Sequence, residues 1–334
     1  MSRFIFSILT AVAVGGGIAF AGIEGMKMIT QKKIAVAISS EEIFAEEDPT
    51  FISHFSRAFI YSTTEEKISI SDLPGDFIEN TKENREPGEK DRVKDNTKKT
   101  LTATSYSMTS LETGEAVIEK ASDRLLPIAS ITKLATAAVA RRMIDPDDAV
   151  EITSAVLHTE GNTGKLRLNE KIKAKELLYP LLMVSSNDAA EALARHYDSI
   201  HGRGEFIKEM NNWANSIGAY RTYFRDPSGI SPNNLSSASD ISVMAKWILE
   251  NDPDIFDITL TKAKSIRSHT WVNPTHFLNL AEYIGGKNGY TPEADRTNVS
   301  LFALGVPKKI YSVVLLGSTQ RDADTLMMLN EVAN

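Results

Sequence analysis

The sequence predicts a mixed α/β domain of the α+β type, in which one β-sheet carries an inserted helical subdomain. Two observations support this fold class. Segments with the alternating pattern of β-strands lie near both ends of the region after residue 100, and segments with helical periodicity lie between them. Because strands at the two ends of a domain favour a single sheet, the chain is expected to leave that sheet for the helical block and then return.

The composition is that of an ordinary globular protein. Of 334 residues, 42% are hydrophobic and 24% are charged, which argues against wholesale disorder and against a polytopic membrane protein. The net charge of −7 argues against a nucleic-acid partner, since nucleic-acid-binding proteins normally present a basic face. The absence of cysteine excludes disulfides, thiolate metal sites and a cysteine nucleophile.

Residues 1–30 predict a membrane anchor or a signal segment. Residues 4–23 form an uncharged run of 20 residues, and about 20 apolar residues span the hydrocarbon core of a bilayer as a helix. The alternative is a cleaved signal peptide, because the Ala-Phe-Ala sequence at 19–21 resembles a cleavage site. In both cases the rest of the chain is expected to cross the cell membrane.

The next two regions carry no recognisable chemistry. Residues 31–71 have a mixed pattern that fits a short helix and strand or a structured collar. Residues 72–99 are crowded with charges and contain few large hydrophobic side chains, so they cannot bury enough apolar surface to offset the entropy of ordering. We predict a charged linker there, followed by a compact domain over residues 100–334.

The elements of the compact domain follow from its residue pattern. The segments LTATSYSM and EAVIEK are expected to form a β-hairpin around Thr113-Gly114. Ser130 is expected to cap a helix of about four turns that ends before Asp145-Pro146. Four more helices, two strands and a closing helix are predicted over KAKELLYPLLMV, NDAAEALARHYD, EFIKEMNNWANSIG, ASDISVMAKWILEND, VSLFALGV, KIYSVVLLG and RDADTLMMLNEV.

The sequence lacks the common metal, cofactor and hydrolase motifs. It contains no His-Glu-x-x-His pair, no Gly-x-Ser-x-Gly elbow, no Walker loop and no Gly-x-Gly-x-x-Gly. The six histidines are scattered, and a predicted helix end separates His196 from His201. We therefore expect neither a metal nor a cofactor.

Ser130 and Lys133 form the one S-x-x-K sequence in the chain. Residues three apart share a helix face, so the serine hydroxyl and the lysine amine are expected to meet. The helix N-terminus favours negative charge on the serine oxygen, and a lysine partly removed from water acts more readily as a base. The spacing suits a serine nucleophile with a lysine base. The alternative is a capping serine beside a solvated lysine.

Two further segments place polar groups at candidate binding positions. Ser185 and Asn187, at the start of a predicted helix, suit a proton relay and a peptide-binding amide, or simply a helix cap. The same spacing recurs at 231–233 in a loop without a helix behind it, and we set it aside. In KNGYT at 287–291, a lysine at a strand edge attracts a carboxylate, and Gly289 permits a close approach to the backbone. The alternative there is a turn between strands.

In this order, S-x-x-K, S-x-N and K-x-G resemble the motifs of penicillin-recognising serine enzymes. From about residue 104 to 330 the chain resembles the serine-type D-alanyl-D-alanine carboxypeptidases of low molecular mass. The likeness extends over LPIASITKLATA, LLYPLLMVSSNDAAEALA, the stretch from FIKEMNNWANSIG to ASDISVMAK, GGKNGYTPEA and VVLLGSTQRDADTLMMLN. It implies a fold of the β-lactamase/transpeptidase type: an antiparallel sheet flanked by helices, a helical lobe, and an active site between them.

The resemblance also implies roles for the motif residues. Ser130 would attack the penultimate D-alanine of a peptidoglycan stem peptide and form an acyl-enzyme, with Lys133 as base and Ser185 as proton relay. β-Lactams would be covalent inhibitors, and the N-terminal segment would bind the membrane. The implied substrate-binding groups are the Asn187 amide for the peptide backbone, Lys287 and Arg321 for the terminal carboxylate, and the N–H groups of Ser130 and Tyr290 as an oxyanion hole. Asn288 and Thr291 offer polar groups near that carboxylate, and Gly289 lets the ligand approach the backbone closely.

The third motif departs from the family pattern, which usually has Lys-Thr-Gly. Asn288 offers an amide on a longer side chain than threonine. This difference leaves the substrate preference open, but it does not affect the assignment of the acylation residues. One alternative is a β-lactamase, which needs a deacylation base that Glu151, Glu160, Glu170 and Glu176 do not supply by sequence pattern. The other is a catalytically silent cell-wall binding protein, for which only Asn288 argues.

Overall fold

The computed structural model describes Ser69, residues 100–161 and residues 163–333. The predictions for residues 1–30 and 72–99 lie outside the described residues, and Ser69 alone represents residues 31–71. Its hydroxyl donates a hydrogen bond to the Glu282 carboxylate at 2.5 Å. No helix in the described ranges is both long and apolar enough to cross a bilayer.

The domain begins with the predicted hairpin and continues into a helix. The elements, in order, are β1 (Ser105–Ser110), β2 (Ala116–Lys120), the two-residue strand β3 (Leu126–Pro127), a 3₁₀ turn (Ala129–Ile131) and α1 (Thr132–Met143). The hairpin and the helix that ends before Asp145-Pro146 are therefore confirmed. The first strand was predicted to begin with the segment LTATSYSM at Leu101, whereas β1 begins at Ser105.

The prediction that Ser130 caps α1 is wrong. Ser130 lies inside the 3₁₀ turn, and the N-cap position of α1 is Ile131, which makes no side-chain capping bond. The preceding Ala129 has a positive φ of 47°. A distant loop packs against this turn so closely that a Cβ on Gly229 would lie 1.9 Å from the Ala129 carbonyl oxygen. Long-range packing therefore outweighs the local capping preference of serine here.

The inserted helical block is also confirmed, and it contains small elements that the pattern did not predict. All the elements of the block, in order, are β4 (Ala149–Glu151), α2 (Ser154–Leu157), β5 (Lys171–Lys173), α3 (Ala174–Met183), α4 (Asn187–His201), α5 (Glu205–Ser216), β6 (Leu235–Ser236), α6 (Ala238–Asn251), α7 (Asp254–Thr259), β7 (Ala263–Ile266) and β8 (His269–Val272). The helices α3, α4, α5 and α6 are the predicted ones. The short strands form three two-stranded pairs, β3 with β6, β4 with β5 and β7 with β8.

The chain then returns to the main sheet. A 3₁₀ turn (His276–Asn279) leads into β9 (Tyr283–Thr291), β10 (Asp295–Leu304), β11 (Lys309–Ser318) and the closing helix α8 (Arg321–Ala333). The sheet order is β2-β1-β11-β10-β9, and every neighbouring pair is antiparallel. The N-terminal hairpin thus joins the C-terminal strands in one sheet, and β9 is an edge strand.

Alternating residues of the sheet supply two hydrophobic cores. Val299, Leu301, Val314 and Leu316 pack with the helical block in the larger core. Residues of the opposite face, such as Phe302, Val313 and Leu315, pack with Leu326 and Leu329 of α8 in the smaller one. This period-two alternation fixes the register of β10 and β11, because a slip of one residue would exchange the two faces.

Candidate active site

Lys133 lies at the centre of the candidate site. Its Nζ lies 2.8 Å from the Ser130 Oγ, 2.6 Å from the Asn187 Oδ1 and 2.7 Å from the Ser228 carbonyl oxygen. The side chain is fully buried. A neutral amine has two N–H donors and one lone pair, so it can donate to Asn187 and Ser228 while it accepts from the Ser130 hydroxyl. This geometry suits a base that removes the serine proton.

The electrostatic surroundings favour the neutral form of Lys133. Burial lowers its pKa well below the ordinary value, and the nearby Lys287 ammonium lowers it further. Asp226 and Asp188 act in the opposite direction, since negative charge stabilises an ammonium. The net effect is a lysine that loses its proton at a lower pH than a solvated one.

The second motif lies in a tight turn before α4. Ser186 is the N-cap residue, and its hydroxyl accepts a hydrogen bond from the Ala189 N–H at 2.9 Å. Ser185 has a left-handed φ of 58°, an uncommon conformation for a residue with a Cβ. Asn187 bridges two parts of the site, because its Oδ1 accepts from Lys133 while its Nδ2 donates to the Glu160 carbonyl at 2.8 Å.

The strand β9 passes directly beside the nucleophile. A Cβ on Gly289 would lie 2.6 Å from the Ser130 nitrogen and 2.9 Å from the Ala129 Cβ. Only glycine allows this approach. The Thr297 hydroxyl on the neighbouring strand β10 donates to the Ile128 carbonyl at 3.0 Å, which ties the 3₁₀ turn to the sheet. The first and third motifs are therefore in contact.

Lys287, Asn288 and Arg321 line a cavity at the edge of the sheet. The Lys287 Nζ donates to the Asn288 carbonyl at 2.7 Å, and its distance to the Asn288 Oδ1 is 3.4 Å. The Arg321 Nε donates to the Asp322 carboxylate at 2.8 Å. These four residues line the cavity together with Asn298 and Ser300. Two cationic side chains therefore border this polar cavity.

Tyr290 and Thr291, which follow the third motif, lie at the end of β9. Tyr290 is 61% exposed, and the Arg296 guanidinium lies over its ring at 5.9 Å. The Thr291 hydroxyl accepts a hydrogen bond from the Ala294 N–H at 3.2 Å, in the turn that leads to β10. The Thr291 hydroxyl thus has a local structural partner.

Sequence reasoning missed the loop between α5 and β6. This loop supplies the Ser228 carbonyl to Lys133 and places Gly229 against Ala129. Its turn residues indicated only a connection between two elements. One available signal was Asp226, since aspartate ahead of serine and glycine commonly accepts hydrogen bonds from the backbone that follows.

Among the other acidic and histidine side chains considered, Glu170, Glu176 and His196 have structural partners. Glu170 bonds to the buried His269 at 2.9 Å, and His196 lies 3.2 Å from Asp148. Glu176 accepts from the Lys173 N–H. Within the residues that the structure describes, no group of three or more histidine and carboxylate side chains is arranged to hold a metal ion.

Comparison with known proteins gives one consistent result. A family model described as D-alanyl-D-alanine carboxypeptidase matches residues 92–319. A D-alanyl-D-alanine endopeptidase of Escherichia coli is 38% identical over 173 residues, which cover 50% of this chain and 53% of the relative. One of Haemophilus influenzae is 38% identical over 200 residues, covering 58% and 68%. The chain therefore spans about half to two thirds of the length of these relatives.

The fold has solved counterparts. The crystal structure of a D-alanyl-D-alanine carboxypeptidase from Mycobacterium tuberculosis superimposes with a TM-score of 0.63 at 27% identity. The match covers 70% of this chain and 91% of the other. The predicted transpeptidase-type fold is thereby confirmed.

Proposed function

This chain belongs to the D-alanyl-D-alanine carboxypeptidase family, and on that premise we propose that it removes the terminal D-alanine from peptidoglycan stem peptides. The observation that carries the proposal is the fully buried Lys133, whose Nζ lies 2.8 Å from the Ser130 Oγ. A serine hydroxyl is a weak nucleophile until a base takes its proton. Burial supplies such a base, because it disfavours the charged form of lysine and lowers the pKa of Lys133 well below its ordinary value.

The first half of the reaction forms an acyl-enzyme. Ser130 attacks the carbonyl of the penultimate D-alanine, and its proton passes to Lys133. The peptide C–N bond breaks, and Ser185 relays the proton to the leaving D-alanine amine. The N–H groups of Ser130 and Tyr290 stabilise the developing oxyanion, to which a single donor contributes about 3–4 kcal/mol in known enzymes.

The second half releases the shortened peptide. Water attacks the ester carbonyl with Lys133 again accepting a proton, and Ser130 regains its hydroxyl. The leaving D-alanine carries a carboxylate, and Lys287 and Arg321 are the cations at the edge of the sheet that we assign to it. Asn187 and Asn288 offer amide groups for the peptide. No metal or cofactor takes part in these steps.

A second candidate activity is cleavage of cross-links between stem peptides. Two relatives with 38% identity are named D-alanyl-D-alanine endopeptidases. In that reaction the leaving amine belongs to a second peptide rather than to free D-alanine, while the acyl-enzyme is the same. The Asn288 side chain, in place of the usual threonine, is the departure in the carboxylate region that bears on this choice.

The cell-envelope location belongs to the same proposal. Peptidoglycan lies outside the cytoplasmic membrane, and residues 4–23 have the length and composition of an anchor or a signal segment. We propose that this segment sends the catalytic domain across the membrane. The intact mass of the mature protein separates the two forms, and a catalytic domain that stays in the cytoplasm would contradict both.

The enzymatic proposal is tested by covalent labelling. We expect a fluorescent penicillin to label the protein, and the Ser130→Ala variant to remain unlabelled. Release of D-alanine from a pentapeptide then identifies a carboxypeptidase, and release of monomers from a cross-linked dimer identifies an endopeptidase. Labelling that survives Ser130→Ala would contradict the mechanism, and rapid turnover of penicillin would favour a β-lactamase instead.

A further inference from the structure

We propose that Asp226 is a positioning residue for the general base of this site. It lies outside the three motifs, in the loop between α5 and β6. Its carboxylate fixes the carbonyl group to which Lys133 is bound, and its charge acts on that lysine. This inference rests on the proposed function, because it concerns the same acylation reaction.

Asp226 is the centre of the loop's hydrogen bonding. One carboxylate oxygen accepts from the Ser228 N–H at 2.7 Å, the Ser228 hydroxyl at 2.8 Å and the Gly229 N–H at 2.7 Å. The other accepts from the Ser231 N–H at 2.7 Å and the Asn234 amide at 3.1 Å. All five of these groups are hydrogen-bond donors, so they match a side chain with two acceptor oxygens.

The loop that Asp226 organises is docked on α1 at two carbonyls. The Ser228 carbonyl accepts from Lys133, and the Pro227 carbonyl accepts a short hydrogen bond from the Thr136 hydroxyl. Lys133 and Thr136 are three residues apart and therefore lie on one face of the helix. A shift of the loop would move both carbonyls along that face and change the position of the lysine nitrogen.

The same loop also holds the nucleophile turn from its other side. Gly229 packs against the Ala129 carbonyl, and the Asn234 carbonyl accepts from the Ile128 N–H at 3.1 Å. Asp226 thus acts on both members of the S-x-x-K pair, on Lys133 through Ser228 and on Ser130 through the two residues that precede it. Neither effect requires Asp226 to touch the substrate.

The charge of Asp226 adds an electrostatic effect. The charged groups that act on Lys133 are Lys287 of β9, Asp188 of α4 and Asp226 itself. A negative charge favours the ammonium form, so Asp226 raises the pKa of Lys133 against the larger lowering by burial and Lys287. Removal of this charge should let Lys133 lose its proton at a lower pH.

The test compares the pH dependence of penicillin acylation in the full chain and in two variants. Asp226→Asn removes the charge and places an NH₂ group against donors that need an acceptor. We expect the acidic limb of the acylation rate to move down by about half a pH unit or more. We expect the plateau rate to fall about 10- to 100-fold, because the base is less well placed.

Asp324→Asn is the matched control. Asp324 is another aspartate that accepts several hydrogen bonds, from Thr102, Ala103 and Ser318, but it lies on α8 away from Lys133. We expect this variant to lose stability while its acidic limb stays at the wild-type position. An equal shift of the limb in both variants would overturn the proposal.

Two further outcomes distinguish a failure of the role proposed for Asp226 from a failure of the proposed enzymatic function. A uniform loss of rate in Asp226→Asn, without movement of the limb, would reduce Asp226 to a structural role and overturn the proposal. If Asp226→Asn does not fold, Asp226→Glu is used instead, since it keeps the negative charge on a longer side chain. An acidic limb at the wild-type pH with a lowered plateau of the acylation rate supports the proposal. An unchanged plateau of that rate overturns it. Failure of the wild type to label would refute the proposed function itself.

Discussion

The two buried lysines of the site interact through their charges, with a consequence for the pH profile. The Lys287 ammonium lowers the pKa of Lys133, after the larger effect of burial. Lys287 is itself only 4% exposed, so water screens this repulsion weakly. The working protonation state of the base therefore depends on a residue of a different motif.

Neutralising Lys287 should shift the activity toward alkaline pH. In Lys287→Gln the repulsion disappears and the pKa of Lys133 rises. Because the neutral amine is the active form, the acidic limb of penicillin acylation should move up by roughly one pH unit. Lys287→Arg keeps the positive charge and should leave the limb near the wild-type position, with a reduced rate. A downward shift in Lys287→Gln would contradict this account.

The S-x-x-K pair was predictable at the scale of single residues, because helix geometry fixes a spacing of three residues without any information from elsewhere in the chain. The position of Ser130 within a 3₁₀ turn was not, since it accompanies the contact with Gly229, 100 residues later in the sequence. The role proposed for Asp226 was not predictable for the same reason. Its hydrogen-bond partners lie in its own loop, but its effect on catalysis depends on the contact of that loop with Lys133.

Among the elements, β9 combines a glycine-rich sequence with an edge position. Its segment YIGGKNGYT lacks the alternation of apolar residues that predicts a strand, and a turn was an open alternative. Pairing with β10 makes it a strand, with Gly289 opposite Thr297 and Asn288 opposite Asn298. The small elements β4 to β8 were missed for a related reason, because strands of two to four residues carry too little pattern.

A methyl group on Gly289 should separate the first and third motifs. The Ala Cβ would lie 2.6 Å from the Ser130 nitrogen, a backbone atom that cannot move without displacing the nucleophile. We expect Gly289→Ala to reduce the penicillin acylation rate by about 100-fold or more. Gly114→Ala is the control, since nothing lies within 4 Å of its Cβ although its φ is 78°. It should cost about 1 kcal/mol of stability and leave acylation intact.

For the whole molecule, the fold was predictable from the order of its elements. Strands at both ends of the compact region and helices between them required one sheet with an insertion, and the order β2-β1-β11-β10-β9 has this form. The cavity beside Lys287 was not predictable, since it brings together residues of α3, β9, β10, α8 and the segment before β9. Its lining is spread over more than 100 positions of the sequence.

The start of the compact region is anchored to its last helix. The Thr102 N–H and hydroxyl and the Ala103 N–H all donate to the Asp324 carboxylate, which is nearly fully buried. Residues 100–104 therefore belong to the folded domain although they precede β1. The boundary at residue 100 itself stays a prediction.

Two truncations test this boundary. Deletion of residues 1–99 should leave a folded domain that penicillin labels. Deletion of residues 1–104 removes three donors from Asp324, which should lower the stability by about 2–3 kcal/mol. The midpoint of thermal unfolding should fall by about 5–10 °C. Equal midpoints for the two fragments would show that the contacts to Asp324 contribute little.

The pairing of β1 with β11 has a consequence for biosynthesis. The Thr104 side chain bonds to the Gly317 carbonyl, 213 positions along the chain. At 5–20 residues per second, the ribosome needs roughly 10–40 s to make the strand β11 after β1 has emerged. During that interval the first hairpin lacks its partner, and β1 exposes the unpaired backbone N–H and C=O groups of its edge. The main sheet of this domain therefore cannot close until β11 has been made, and until then the edge of β1 is open to pairing with another chain.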